Sequence, residues 1–288
     1  MFIVSCQQEV NVEMPPFQET LVIEGYVAQG AHRIFVRVDK TQNPTQERTM
    51  YVPYADVSTA RVTLTVKGIS YRMKFLTPDD RMAEFAALYR MPSGLFVHDL
   101  PDGRLDSVHI AVDLDGLHAE SDCIVPPPLQ ITRAALKGMS VRNGRYTGYH
   151  LTVDANFPSG TSYYLVFLRM PPSGDTVWYD IGKNHLFLPP TESDDIVRGF
   201  FRIDTGGSTA DFILDNPMGS VGAGSRTYRV YFSRIEQKYY DIALKAKTQF
   251  EELASIIPTE TTDIPSLVKG GYGIFTGLTS DTLEVISQ

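Results

Sequence analysis

From Ala60 to Phe75 apolar and polar residues alternate one by one, with Val62, Leu64 and Val66 on one parity and Arg61, Thr63 and Thr65 on the other. A period of two sends successive side chains to opposite faces of a strand. Lys67-Gly68 interrupts the run. Taken as a hairpin loop, it pairs Val66 with Ile69, Leu64 with Tyr71, Val62 with Met73 and Ala60 with Phe75. One face of that hairpin is apolar, and the other carries Arg61, Thr63, Thr65, Ser70, Arg72 and Lys74, as in a sheet with one solvated side. The pattern returns around Asp115-Gly116, a dipeptide suited to the positive backbone angles of a tight turn. There Val108, Ile110, Val112 and Leu114 fall opposite Cys123, Ser121, Ala119 and Leu117, which points Cys123 into the core as an inert thiol. A third turn at Asn143-Gly144 joins Ser140-Val141-Arg142 to a strand from Arg145 through Val153.

Period 3.6 is rarer. Ile235, Tyr239, Ile242, Ala246, Phe250 and Leu253 make one apolar stripe, with Glu236, Asp241, Lys245, Lys247, Glu251 and Glu252 facing away. This predicts a long amphipathic helix near 236–255 lying against a sheet. A shorter helix is predicted after Thr77-Pro78-Asp79-Asp80, where a cap and a first-turn proline precede Met82, Phe85, Ala86 and Tyr89. Pro126-Pro127-Pro128 removes backbone donors and favours an extended connection, so the domain junction is expected there. The division is a tether over 1–16, one domain over 17–126 and a second over 127–288.

Composition agrees with a mostly β protein: fifteen Tyr and fifteen Phe stand among short runs of Val, Ile and Thr. At 288 residues the chain is long enough for two cores of ordinary size. A net charge of −8 and a pI near 5.3 argue against nucleic acid as a partner. No run of 18 apolar residues occurs, so membrane attachment is expected only through Cys6.

Cys6 follows Ile3-Val4-Ser5 and precedes a polar run to Glu13, which matches a bacterial lipoprotein attachment site. Acyl chains on that thiol would hold the protein stably at a bilayer. The five residues before it are too few for a signal peptide. Two readings stay open, a trimmed or displaced start and a chance match.

The register of the Asp115-Gly116 hairpin sets His109 opposite Asp122, Ala111 opposite Glu120 and Asp113 opposite His118. Two imidazoles and three carboxylates then share one face, a donor set able to hold a divalent metal. The plainer alternative is a solvated face of favourable cross-strand pairs. Trp178 and Tyr179, flanked by Pro- and Gly-rich segments, are candidates to stack on a sugar ring or anchor a partner, against core packing. Asp79-Asp80 and Asp194-Asp195 read as a helix cap and a solvated loop rather than Ca²⁺ sites. The glycines from 219 to 224 and from 270 to 277 lack phosphate-binding spacing and read as loops and bends. No Gly-x-Ser-x-Gly elbow occurs, because Met218 precedes Ser220 at the position that needs glycine.

The order of features resembles domain of unknown function 4249, a family of Bacteroidetes outer-membrane lipoproteins. The match runs from Cys6 and Glu9-Val10-Asn11-Val12-Glu13-Met14-Pro15 through Leu21-Val22-Ile23-Glu24-Gly25-Tyr26-Val27 to Ala119-Glu120-Ser121-Asp122-Cys123-Ile124-Val125-Pro126-Pro127-Pro128. It continues with Ser162-Tyr163-Tyr164-Leu165-Val166-Phe167, Asp194-Asp195 before Gly199, the segment from Ser233 to Tyr240, and Gly270-Gly271-Tyr272-Gly273-Ile274-Phe275. Leu267-Val268 stand where the family usually has Asn-Ile. The resemblance implies an immunoglobulin-like β-sandwich N-terminal domain, then a second β domain carrying the long C-terminal helix. It also implies an outer-membrane lipoprotein at the cell surface or periplasmic face, associated with a TonB-dependent transporter. It brings no catalytic residues. A non-enzymatic accessory or binder of a glycan or peptide ligand, with no cofactor, is therefore expected. The alternatives are an adhesin or surface-fibre subunit and a glycan-active hydrolase with dispersed carboxylates.

Overall fold

A computed structural model describes residues 16–41, 56–77, 94–100, 105–142, 145–169, 197–215, 225–253 and 266–287. Cys6, Asp79, Asp80, Trp178, Tyr179, Asp194, Asp195, the 219–224 glycines and the helix expected after Thr77 lie outside them.

The described chain is mostly β. Its first half contains β1 (Leu21–Ala28), β2 (Arg33–Lys40), β3 (Arg61–Val66), β4 (Ile69–Arg72), β5 (Lys74–Phe75), β6 (Leu95–Asp99), β7 (Ser107–Leu114) and β8 (Leu117–Ile124). The second contains β9 (Ile131–Gly138), β10 (Val141–Arg142), β11 (Arg145–Tyr146), β12 (Gly148–Phe157), β13 (Ser162–Arg169), β14 (Val197–Ile203), β15 (Gly207–Asp215), β16 (Thr227–Ile235), helix α1 (Gln237–Leu253) and β17 (Gly271–Ile286).

One eight-stranded sheet, in the order β14-β13-β16-β17-β1-β2-β6-β5, forms a layer common to both halves. The sheet β4-β3-β7-β8 packs on it in the first half, closing a core around Ile23, Val36, Val62, Ile110 and Phe275. The sheet β15-β12-β9 packs on it in the second, around Tyr149, Leu151, Tyr164, Phe212 and Phe232. Each fully buried aliphatic or aromatic side chain contributes about 1.5–3 kcal/mol by leaving water. Period-two alternation on the inner faces is therefore what selects this pairing.

The strand β17 joins the two halves of the common layer. Its first eight residues run parallel to β1, from Leu21 opposite Gly271 to Ala28 opposite Leu278. From Leu278 onward it runs antiparallel to β16, ending with Thr227 opposite Ile286. The loop expected at Gly270 to Gly277 is thus largely strand. Glycine serves close approach here: a Cβ on Gly273, at φ +121, would stand 1.9 Å from the Ile23 carbonyl oxygen, and one on Gly277 2.2 Å from that of Ile124. The connection through Pro126-Pro127-Pro128 lies between the two cores and is fastened to β17. Thr279 Oγ1 donates to the Pro126 carbonyl, and Ile131 N donates to Asp281 Oδ2 at 2.8 Å.

The hairpin at Lys67-Gly68 has the expected register from Val66–Ile69 to Thr63–Arg72, and Met73 N donates to the Val62 carbonyl at 2.9 Å. The pairing of Ala60 with Phe75 does not form. After Met73 the chain changes sheets, and Phe75 pairs with Phe96. On the apolar face Ile69 is 57% exposed beside the turn.

The long amphipathic stripe expected over 236–255 is not supported along its length. Side chains of α1 are described only through Lys245, and two of the expected stripe, Tyr239 and Ile242, are buried there. Ile235 is instead the last residue of β16, and Glu236, expected to face away, is buried. Tyr239 meets Tyr26 and Phe200 edge-on at ring separations of 5.9 and 6.0 Å, seating the helix start on the outer side of the common sheet.

Candidate functional site

The face formed by β3, β7 and β8 has the register read from the sequence: His109 opposite Asp122, Ala111 opposite Glu120, Asp113 opposite His118. The tight turn that sets it holds Asp115 and Gly116 at φ 51 and 82. Alternation turns Val108, Ile110, Val112 and Cys123 inward and leaves the polar residues at the surface. Cys123 is free and buried, and burial holds its thiol well above the usual range, so it is a packing residue.

The polar residues are brought together as a ladder of alternating charge. Asp113 Oδ2 accepts from Arg61 Nη2 at 2.9 Å, while Asp113 Oδ1 lies 2.8 Å from His118 Nδ1. His118 Nε2 is 3.7 Å from Glu120 Oε2, and Lys269 Nζ donates to Glu120 Oε1 at 2.8 Å. His109 Nδ1 pairs separately with Asp122 Oδ1 at 2.9 Å. The bonds from His118 and then Arg61 hold Asp113 below the usual carboxylate range. The Asp113 bond raises the His118 imidazole, and the bond from Lys269 lowers Glu120.

This geometry does not carry the metal reading. The five expected ligands split into two sets, and each carboxylate of the larger set already has both oxygens facing a cation or imidazole. Among the described residues no group of three or more His, Cys, Asp or Glu converges to hold a metal ion. The face is a network of satisfied cross-strand pairs.

Glu236 is the residue that sequence periodicity missed. It stands between β16 and α1, and Tyr240 N donates to its carbonyl at 3.1 Å as the helix begins. Its Oε1 accepts from Ile124 N and Gly277 N, both at 2.8 Å, and its Oε2 lies 3.3 Å from Lys238 Nζ. Lys238 Nζ in turn donates to the Asp122 carbonyl. One buried carboxylate thereby ties the end of β8, the middle of β17 and the start of α1. A glutamate at a strand-to-helix boundary was the available signal, but its partners lie 41 and 112 residues away.

A second feature lies at the start of β1. Pro16, Phe17, Gln18, Thr20, Thr41 and Tyr272 line an open groove of about 580 Å³. No helix among the described residues is long and apolar enough to cross a membrane.

The family model for "Domain of unknown function (DUF4249)" matches residues 7–284. No curated protein matches the chain. Among solved structures, CBD12 from CALX1.2 is 12% identical, with 92% of this chain and 99% of that chain covered and a TM-score of 0.22. A putative membrane anchored protein from Corynebacterium diphtheriae is 11% identical, with 75% and 54% covered and a TM-score of 0.21. Neither likeness is close enough to carry an argument.

Proposed function

The chain belongs to the DUF4249 family, and on that premise we propose a lipid-anchored, non-enzymatic cell-envelope protein that captures a ligand beside a TonB-dependent transporter of the outer membrane. The observation that carries this reading is the N-terminal run Ile3-Val4-Ser5-Cys6, followed by a polar tether that leads to β1. A small residue before a cysteine and an aliphatic one three positions earlier suit a thiol that receives lipid. In this reading residues 1–16 are the tether, 17–126 an immunoglobulin-like sandwich and 127–288 a second β domain, with β17 shared between them. The ligand class is a glycan or peptide, with Trp178 and Tyr179 as stacking candidates.

A mild-detergent pull-down of the protein from its native membrane tests the proposal. Mass spectrometry is expected to find acyl chains on Cys6 and a TonB-dependent transporter in stoichiometric amount. An unmodified Cys6 would remove the anchor, and recovery without a transporter would remove the accessory role. Turnover of glycans or peptides by the purified protein would replace capture with hydrolysis.

A further inference from the structure

The start of β1 is fastened at one pole of the first sandwich. Thr20 N donates to Thr41 Oγ1 at 2.9 Å, and Thr41 N donates back to the Thr20 carbonyl at 2.8 Å. Lys40 Nζ reaches Glu19 at 3.1 Å and Asp115 at 2.8 Å, which brings the β7–β8 turn to the same pole. Gly271 opposite Leu21 begins β17 there as well. Phe17 and Tyr272 are 40% and 55% exposed at this pole and line its groove. Their charged neighbours are matched: Lys40 by Glu19 and Asp115, Lys269 by Glu120. Exposed rings among neutralised charges suit the interface of a bilayer, where amphipathic aromatics settle at headgroup level.

We propose that this pole is a docking surface for lipid headgroups, seated by Phe17 and Tyr272, and that the second sandwich stands away from the membrane. The proposal rests on the anchor at Cys6 argued above. Phe17 stands eleven positions after Cys6, a span of at most about 40 Å when extended. The sixteen residues of β17 run about 50 Å. β1 and β17 both start at the tethered pole and run parallel, so the later half of β17, with β16, β13 and β14, leads away from it. The tether is shorter than the strand that crosses both sandwiches, so the groove pole is the part held closest to the surface.

The test uses the full chain with Trp178→Phe, which removes the single tryptophan, and reporters placed by Tyr272→Trp or, on the second sandwich, Ile213→Trp. Cys123 is buried, so a maleimide lipid couples at Cys6 and carries the protein onto phosphatidylcholine and phosphatidylethanolamine vesicles containing brominated lipid. Bromine is expected to quench the Tyr272→Trp reporter at least about twofold more than the Ile213→Trp reporter, as headgroup-level seating requires. Adding Phe17→Ser is expected to halve that difference, roughly. Equal quenching of the two reporters, quenching only at Ile213→Trp, or none at either would each overturn the proposal. Coupling is chemical, so the result stands apart from whether the cell lipidates Cys6, which the mass spectrum of the native N-terminal peptide reads on its own.

Discussion

On the face of β3, β7 and β8, Asp113 and Glu120 share two cations and one imidazole in the open, whereas Glu236 sits buried with two backbone amides and one lysine. The exposed ladder holds more chemistry per unit of surface, yet its members join strands that already pair along their length. Glu236 joins β8, β17 and α1, and its carboxylate replaces the water that two amides would otherwise need. Solvent accounts for the contrast: it screens the ladder and supplies substitute partners, and it does neither for an amide closed in beside β17. Density of ionisable groups is therefore a poor guide to where this molecule is held together.

Removing the buried group is the strongest way to probe that contrast. Glu236→Ala strands the buried Gly277 N and the part-buried Ile124 N, and a buried donor left without a partner costs about 1–3 kcal/mol, a part-buried one less. Denaturant unfolding should show a loss of roughly 1–4 kcal/mol. A loss below about 1 kcal/mol would mean that water enters the junction and that the contrast is false. Next in size is Gly277→Ala, which places a methyl 2.2 Å from the Ile124 carbonyl oxygen. Strain of that kind typically costs about 1–3 kcal/mol, and hydrogen exchange should rise first around Ile124 and Gly277.

The exposed ladder should respond far less. Asp113→Asn removes the charge that faces Arg61 and His118, and an effect under about 1 kcal/mol is expected in the same unfolding experiment. Smallest of all is His118→Gln, whose signature is pH dependence. The folded pKa of His118 is raised by Asp113, so its stabilisation is fully present below the unfolded value of about 6.5. It is lost as pH rises through the folded value. The thermal midpoint of the parent should therefore exceed that of the variant more at pH 5.5 than at pH 8.5. Asp113 acts at the other end, because its lowered pKa gives stability that disappears as pH falls through the folded value. A pH-independent gap between parent and His118→Gln would remove the imidazole from the ladder.

The same contrast separates what the sequence revealed from what it hid. The β7–β8 register was legible because Asp115-Gly116 fixes a turn and the alternation on either side leaves one solution. The β3–β4 register was legible too, up to Met73, where the chain changes sheets and Phe75 takes Phe96 as its partner. No local pattern announces that change. Asp113, His118 and Glu120 were legible as one face, but Lys269 and the bonds from Arg61 and Lys269 that engage the carboxylates were not. Lys269 comes from a segment 149 residues beyond Glu120, and periodicity carries no information across such a gap. β17 was hidden for a related reason. Gly270, Gly271, Gly273 and Gly277 depress strand propensity, and the benefit of their small size appears only when His118, Leu21, Ile23 and Ile124 are already beside them. Glu236 looked like the polar side of a helix because a helix does follow it.

The pairing of β1 with β17 also has a mechanical meaning. A load entering at the Leu21 end of β1 and resisted at the Ile286 end of β17 pulls the two parallel strands past one another. The eight residue pairs between them are then stretched side by side and must fail together, unlike a zipper opened from one end. Single-molecule pulling between those two points should meet a higher rupture force than pulling across the β7–β8 hairpin, whose pairs can open one after another from its free ends.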